Sequence, residues 1–592
     1  MNAITSVTTF ALLAPEIVLV VGALIAFLGG AFTGLRWGWS VAVIAIGAAW
    51  LLAGPVPVDG GYASGPIAID GFSGFIRWLV LLLGGLVALV QAGDTFRTAV
   101  VRDPRPSSGT CEEAGTFLLL VAGLSLAGVA EDLVLLFIGL ELVSIPTAIL
   151  LALKRVDARG QEASLKYFFL SLVASSLFLY GVVCLYGIGG STSLAVIGER
   201  LRATDPRTVV TGAALVPLAV GLILAGAAFR MAAFPLHYYA PDVYQGTSPG
   251  NAALLSTLPK VAGVVVVLRL LGLAIGPATA GAAGYAAQAA LELLWPAAVA
   301  LAAASMTIGN VMALRQDNLR RLLACSSIAH AGYLLVGVAA AAATAAAPAA
   351  AGTGLAAGTS GAVGGAAALF YLTTYALATI GVFAGLTYLG HRWPDWTPGQ
   401  PRPQRDEVST VDDLDGLSGT NPVVAVSIAV CLLSLAGIPP LPGFWGKLTL
   451  VTSALDVDAA VWSPRRIAFL ALAVTLVINA AIAAAYYLRI IAAMYFRTTR
   501  RGVQTDGGIG AGLAMLAALA LLAVYTARPQ SLFASARQAG AVVGGGIPVS
   551  PDAIGPARRA AGAASTVPAV DLPDGAATPV TVPTSPPLRL AP

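Results

Sequence analysis

Charge is scarce in this chain: only 10% of its 592 residues are Asp, Glu, Lys or Arg, against 57% hydrophobic residues and 66 glycines. An ordinary soluble domain carries roughly 25% charged residues, so the composition excludes that class and leaves a polytopic membrane protein. Cysteine is scarce too. Cys111, Cys184, Cys325 and Cys431 stand singly, three of them inside apolar runs, with neither disulfide-framework nor metal-ligand spacing. Lysine is the sharpest shortage: of 33 basic residues only four are lysine, Lys154, Lys166, Lys260 and Lys447. The N-terminus lacks a basic leader and a small-residue cleavage site, and reads as a retained first span, not a signal peptide.

What the chain does have is long apolar runs. Taking about 20 residues as the length needed to cross a bilayer, the expected fold is an all-α polytopic membrane protein with about 14 transmembrane helices. They run over residues 12–32, 38–53, 72–93, 115–130, 132–153, 163–189, 212–234, 250–275, 290–314, 319–341, 366–390, 422–454, 466–496 and 509–527. The Ala/Gly run from Ala339 to Ala368 reads as a span end followed by a flexible loop. After Arg528 the chain is rich in Pro, Ala, Gly and Thr with little to bury, so residues 528–592 are expected to be a disordered tail.

Cytoplasmic loops hold an excess of Lys and Arg. With the N-terminus outside, sixteen basic residues fall in inward loops: Arg36, Arg97, Arg102, Arg105, Lys154, Arg155, Arg159, Arg315, Arg320, Arg321, Arg392, Arg402, Arg405, Arg497, Arg500 and Arg501. Outward loops hold Arg200, Arg202, Arg207, Arg465 and Arg466. The asymmetry favours both termini outside.

The stretch from Phe229 to Lys260, FRMAAFPLHYYAPDVYQGTSPGNAALLSTLPK, interrupts these runs with a fixed cation, two early prolines, a histidine, an aspartate and a lysine. Pro235 and Pro241 each remove an amide donor and crowd the preceding turn, so the seventh span should break here. Carbonyls freed at membrane depth need polar partners, which places the break at a protein-enclosed cavity. Charge on a broken helix is the mark of an ion path; a proline-marked helix end at the interface is the plainer alternative. SLAGIPPLPGFWGKLTL repeats the pattern five spans later, with Pro439, Pro440 and Pro442 ahead of Lys447, as two repeats with sites near the midplane would require.

Arginine stays protonated, whereas a desolvated lysine gives up its proton readily. A chain that keeps lysine for places where charge is expensive is using it to exchange protons, unless these amines merely snorkel to the interface. Glu141 lies about ten residues into an apolar run and needs a cation there, Arg230 or Lys166. Glu162 and Lys166 are spaced as a same-face helical pair, Glu first. Glu131 and Asp132 suit the positive end of the fifth span. His330, beside Ser326 and Ser327, is either a proton relay near neutral pH or a hydrogen-bonded core residue.

EASLKYFFLSLVASSLFLYGVVCLYG, FPLHYYAPDVYQG, MTIGNVMALRQDNLRRLLACSSIAHAGYLL, SLAGIPPLPGFWGK and AAYYLRIIAAMYF together resemble the N-subunit family of bacterial NADH-quinone oxidoreductase, respiratory complex I. The resemblance reaches to about residue 527. The L and M subunits and Mrp-type cation/proton antiporters share the core, but the EASLKYF and APDVYQG wording is closest to N, and no long lateral amphipathic helix follows the last span.

The resemblance implies two inverted five-helix repeats containing broken helices, residues 115–275 and 290–497. Residues 1–114 supply three helices ahead of them and residues 509–527 a last helix. It places the family's membrane-embedded glutamate on Glu141, its lysines on Lys260 and Lys447, its histidine on His330 and its sixth-span pair on Glu162 and Lys166. It implies proton translocation coupled to quinone reduction elsewhere in the complex, a translocase role without redox chemistry of its own. The alternative within the same fold is an Mrp-like cation/proton antiporter subunit. The implied setting is the bacterial inner membrane, multi-pass, with other membrane subunits and the lipid bilayer as partners and no nucleic acid. NADH and quinone are used by the whole complex and no cofactor is bound by this subunit; the chain has no Gly-rich dinucleotide fingerprint and no clustered cysteines.

One residue departs from the pattern. The family has lysine just after phenylalanine in the seventh span, where this chain has Arg230. Arginine can hold Glu141 ionised through two parallel hydrogen bonds, but it is a poor proton donor. The expectation is an electrostatic switch formed by Glu141 and Arg230 and modulated by Lys260, with Lys260, His330 and Lys447 carrying protons; the competing expectation is impaired transfer. FPLHYY is a lesser departure.

Overall fold

The structure, a computed structural model, describes residues 10–33, 37–54, 62–101, 109–154, 157–202, 206–275, 285–346, 357–392, 406–498, 503, 505 and 507–545. Of the inward-loop cations, Arg36, Arg102, Arg105, Arg155, Arg402, Arg405, Arg500 and Arg501 lie outside the described residues, as do 546–592 of the tail and 347–356 of the Ala/Gly loop.

Each apolar run folds as helix. The first half comprises α1 (Ala14–Thr33), α2 (Gly38–Ala53), α3 (Gly71–Val101), α4 (Gly109–Val129), α5 (Leu133–Lys154), α6 (Ala158–Gly189), the short α7 (Leu194–Arg202), α8 (Pro206–Met231), the short α9 (Ala240–Gly246) and α10 (Pro249–Ile275). The second half comprises α11 (Tyr285–Leu314), α12 (Leu319–Ala346), α13 (Ala357–Leu389), the one-turn α14 (Leu417–Thr420), α15 (Pro422–Ala436), α16 (Pro442–Leu455), α17 (Pro464–Phe496) and α18 (Gly508–Ala527). Among the described residues eleven helices are long and apolar enough to cross a membrane, and three shorter apolar ones, Gly38–Ala53, Leu215–Met231 and Pro422–Ala436, match the second, seventh and twelfth expected spans. Two small antiparallel ladders, Tyr62–Ser64 with Ile67–Ile69 and His391–Arg392 with Asp406–Glu407, are the only strands described.

Burial sorts the helices into layers. The apolar stretches of α12 and α13 are wholly buried, whereas only a third of α1, α17 and α18 is. A helix that is apolar all round is at home in the first setting and lipid-facing in the second. Close approach is what the glycines allow: a Cβ on Gly332 of α12 would sit 2.6 Å from Met306 Cγ and 2.7 Å from the Ala302 carbonyl of α11. Small residues at membrane helix contacts act this way, because packing rather than hydrophobic expulsion holds such helices together.

Three expectations need correction. The tail is not unstructured from Arg528 onward: Pro529–Gly545 forms α19, which packs on α13. Leu532, Ala536 and Ala539 are buried on one face, and Phe533 meets Phe370 edge-on at 5.8 Å. The Ala and Gly content taken as a sign of disorder is what lets this helix press closely against an Ala/Gly-rich neighbour. The fourth span begins at Gly109, so the boundary placed at residue 114 falls inside α4. Glu113 is buried there, and its carboxylate faces Lys154 at 3.1 Å rather than water. The tenth span runs on to Ala346, five residues past its expected end, and the eleventh starts at Ala357.

Candidate functional site

The two proline-bearing stretches break their helices, and lysines fill the gaps. α8 stops at Met231, Ala232 takes a left-handed conformation (φ 55°), and helix resumes at Ala240. The freed Met231 carbonyl accepts Lys260 Nζ at 2.6 Å, the Phe229 carbonyl accepts the Tyr239 hydroxyl at 2.9 Å, and Phe234 N donates to Ser305 Oγ at 2.9 Å. In the second break α15 ends at Ala436, Gly437 turns left-handed (φ 85°), and α16 begins at Pro442. There Lys447 Nζ donates to the Leu435 and Ala436 carbonyls, each at 2.9 Å. Backbone groups released in a low-dielectric interior must find partners, and in both places an ammonium is that partner.

Gly437 is held by two constraints: a side chain in this backbone conformation costs about 1–2 kcal/mol, and a Cβ would lie 2.9 Å from Lys447 Cδ. Gly437→Ala is therefore expected to lower stability by about 1–2 kcal/mol and to push the Lys447 ammonium off its two carbonyls. Thermal unfolding of the purified protein checks the first, and a structure of the variant checks the second.

Arg230, not Lys166, is the cation that meets Glu141. Its Nη2 lies 3.2 Å from Glu141 Oε1. The pairing is single, not the two parallel bonds that the sequence suggests. Nη1 is taken by the Leu140 carbonyl at 3.1 Å and by Ser144 Oγ, while Ser175 Oγ donates to Glu141 Oε1 at 2.5 Å. Arg230 is buried and the Glu141 side chain is 22% exposed, so the pair sits at the edge of the core. Lys166 instead lies 2.6 Å from Glu162 Oε1 and 3.0 Å from Asp242 Oδ2, at the partly exposed face of α6 and α9. Asp132, expected at the positive end of the fifth span, caps it: its Oδ1 accepts from Val134 N at 2.8 Å.

His330 is 1% exposed and enclosed by tyrosines. The Tyr371 hydroxyl lies 2.6 Å from Nδ1, the Tyr487 hydroxyl 3.0 Å from Nε2, and the ring stacks on Tyr375 at 4.6 Å. Ser327 joins this group to Lys260: its carbonyl accepts Lys260 Nζ at 2.6 Å, and its Oγ lies 3.0 Å from the Tyr375 hydroxyl. On the far side Lys447 Nζ stands 4.9 Å over the Tyr333 ring, which meets His330 at 5.5 Å. Polar contacts thus join Lys260 through Ser327 to the tyrosines around His330, the Tyr333 ring lies between His330 and Lys447, and the Glu141 and Arg230 pair adjoins Met231 along the chain, whose carbonyl holds Lys260. Amine, imidazole and phenol can each hold or pass a proton; the guanidinium at one end supplies fixed charge.

Sequence reasoning missed Tyr333, Tyr371, Tyr375 and Tyr487, although hydroxyls at spacings of three and four along buried runs were a usable signal. It also put Lys154 in a loop. That lysine is buried, with Asp94 Oδ2 at 3.5 Å and Glu113 Oε2 at 3.1 Å. Among the described residues no group of three or more His, Cys, Asp or Glu could hold a metal ion.

Comparison with known proteins bears on this geometry. Residues 130–475 match a family described as NADH:quinone oxidoreductase/Mrp antiporter, transmembrane. NADH-quinone oxidoreductase subunit N 1 of Sorangium cellulosum is 33% identical over 482 residues, 79% of this chain and 83% of that protein. A chain of respiratory complex I from Thermus thermophilus, solved with bound aureothin, superposes with a TM-score of 0.64 at 28% identity, covering 88% of this chain and 98% of that one. A chain of the Mrp complex from Dietzia sp. superposes with a TM-score of 0.67, covering 90% and 97%; at 21% identity the likeness is one of fold.

Proposed function

The chain belongs to the NADH:quinone oxidoreductase/Mrp antiporter transmembrane family, and from that premise we propose that it moves protons across the membrane along the track from Glu141 to Lys447. It is a multi-pass membrane subunit of bacterial NADH-quinone oxidoreductase, in the inner membrane, with other subunits of that complex as partners. The complex is the enzyme. This subunit's share is translocation without redox chemistry, while NADH oxidation and quinone reduction proceed in other subunits and no cofactor is bound here. The Mrp-like alternative rests on likeness of fold.

The observation that carries the reading is the seating of each lysine at a broken helix, Lys260 on the Met231 carbonyl and Lys447 on the Leu435 and Ala436 carbonyls, with a buried imidazole and its tyrosines between them. Lys260, His330 and Lys447 carry protons. The Glu141 and Arg230 pair acts as the electrostatic switch, and Glu162 with Lys166 forms the accompanying charge pair. The helices from α4 to α10 and from α11 to α17 form the two inverted repeats, each with one break.

His330 tests the relay directly. His330→Gln keeps polar ends for Tyr371 and Tyr487 but cannot accept a proton. In complex reconstituted into vesicles, this variant is expected to translocate protons about 100-fold more slowly, the low end of what a positioned acid–base group supplies, with the complex still assembled. Wild-type rates would make His330 a hydrogen-bonded core residue and remove it from the path.

A further inference from the structure

Asp242 has no role in the track described so far, yet it is the point where three helices meet. Its two carboxylate oxygens are divided between cations on different halves of the protein. Oδ2 accepts from Lys166 Nζ of α6 at 3.0 Å, and Oδ1 accepts from Arg321 Nη1 of α12 at 2.7 Å. Arg321 also donates to Gln245 Oε1 at 3.0 Å, one turn along α9 from Asp242, and Lys166 turns its other side to Glu162 at 2.6 Å. The result is a line of alternating charge, Glu162, Lys166, Asp242, Arg321, at a partly exposed face of the protein.

The helix that carries Asp242 faces inward as well. Tyr244, two residues on, is buried, and its hydroxyl lies 3.4 Å from Ser327 Oγ. Ser327 is the residue whose carbonyl holds Lys260, and the other carbonyl holding Lys260 belongs to Met231, at the break just ahead of α9. α9 packs on α6 and α12 and only slightly on α10, so its place is set by the two helices that Asp242 joins. α9 is therefore linked to both halves of the Lys260 seat, to Met231 along the chain and to Ser327 through the Tyr244 hydroxyl.

We propose that Asp242 is a positioning residue for proton transfer: bridged to Lys166 and Arg321, it holds α9 so that Met231 and Ser327 present their carbonyls to Lys260 together. This rests on the proton-translocating reading above. A bridge of partly exposed charges adds little to stability by itself, so its consequence is registered in transfer along the track rather than in folding. It is also open to screening by salt, unlike the buried contacts it positions.

The test is proton translocation by the whole complex in vesicles, with quinone reduction followed in parallel. Asp242→Asn, which keeps shape and removes charge, is expected to assemble and to lower protons moved per quinone reduced about tenfold, a size common for coupling between linked sites. Asp242→Glu should recover most of that loss. Raising salt should slow the unmodified protein and leave Asp242→Asn unchanged. Arg321→Gln, which removes the α12 arm alone, should fall in the same direction. Normal translocation by Asp242→Asn overturns the proposal, as does failure of both neutral variants to assemble, because the bridge would then be structural. Lys260→Met separates the two readings: if it pumps normally the track itself is wrong, and if it alone stops pumping only the role of Asp242 fails.

Discussion

Lys260→Met is expected to stop proton movement through this subunit, with translocation by the reconstituted complex, driven by NADH and read with a pH-sensitive dye, falling about 100-fold or more. The side chain is 1% exposed and its ammonium is shared by two backbone carbonyls, Met231 at the break and Ser327 on α12. Removing it withdraws the exchangeable proton. It also leaves the buried Met231 carbonyl at the break without its partner, at about 1–3 kcal/mol, so the variant should lose stability too. Lys260→Arg separates these effects. A guanidinium can reach both carbonyls and preserve assembly, but it does not give up its proton. The expected pair of results is a protein of near-normal stability that does not pump for arginine, and a weakened one that does not pump for methionine. An arginine variant that pumped at the original rate would show that Lys260 contributes charge and not a proton.

Much of this site is legible in the chain itself. Prolines at Pro235, Pro241, Pro439 and Pro440 mark the breaks because the ring removes a donor and crowds the turn before it. Lys260 and Lys447 stand out because the chain otherwise writes positive charge as arginine. The rest depended on contacts between residues far apart in sequence. Tyr371, Tyr375 and Tyr487 look like ordinary aromatic core until their hydroxyls are found around His330 and Ser327. Charge in an apolar run leaves Glu141 open to Arg230 or Lys166, and the family resemblance favours Arg230; the structure pairs it with Arg230 and seats Lys166 between Glu162 and Asp242. α19 was misread for a different reason: low complexity predicts disorder only where no partner offers an equally small-residue surface, and α13 offers one.

Arg230→Ala should be the second most damaging change, and its lysine counterpart among the mildest. Alanine leaves Glu141 charged without its cation. Breaking a buried pair in this way costs about 3–5 kcal/mol, with the lower end apt here because the glutamate side chain is 22% exposed. It also removes the hydrogen bonds to the Leu140 carbonyl and Ser144 Oγ, which keep their bond to each other. Because only one nitrogen of Arg230 touches Glu141, lysine can replace that contact, though not the bonds to Leu140 and Ser144 along with it. Arg230→Lys is therefore expected to pump within a fewfold of the original, and Arg230→Ala to lose translocation as well as thermal stability. If alanine pumps normally, the pair is no switch. If lysine pumps faster than arginine, the guanidinium is a brake: it holds Glu141 ionised through a proton it cannot release, and transfer in this chain is impaired at its first step.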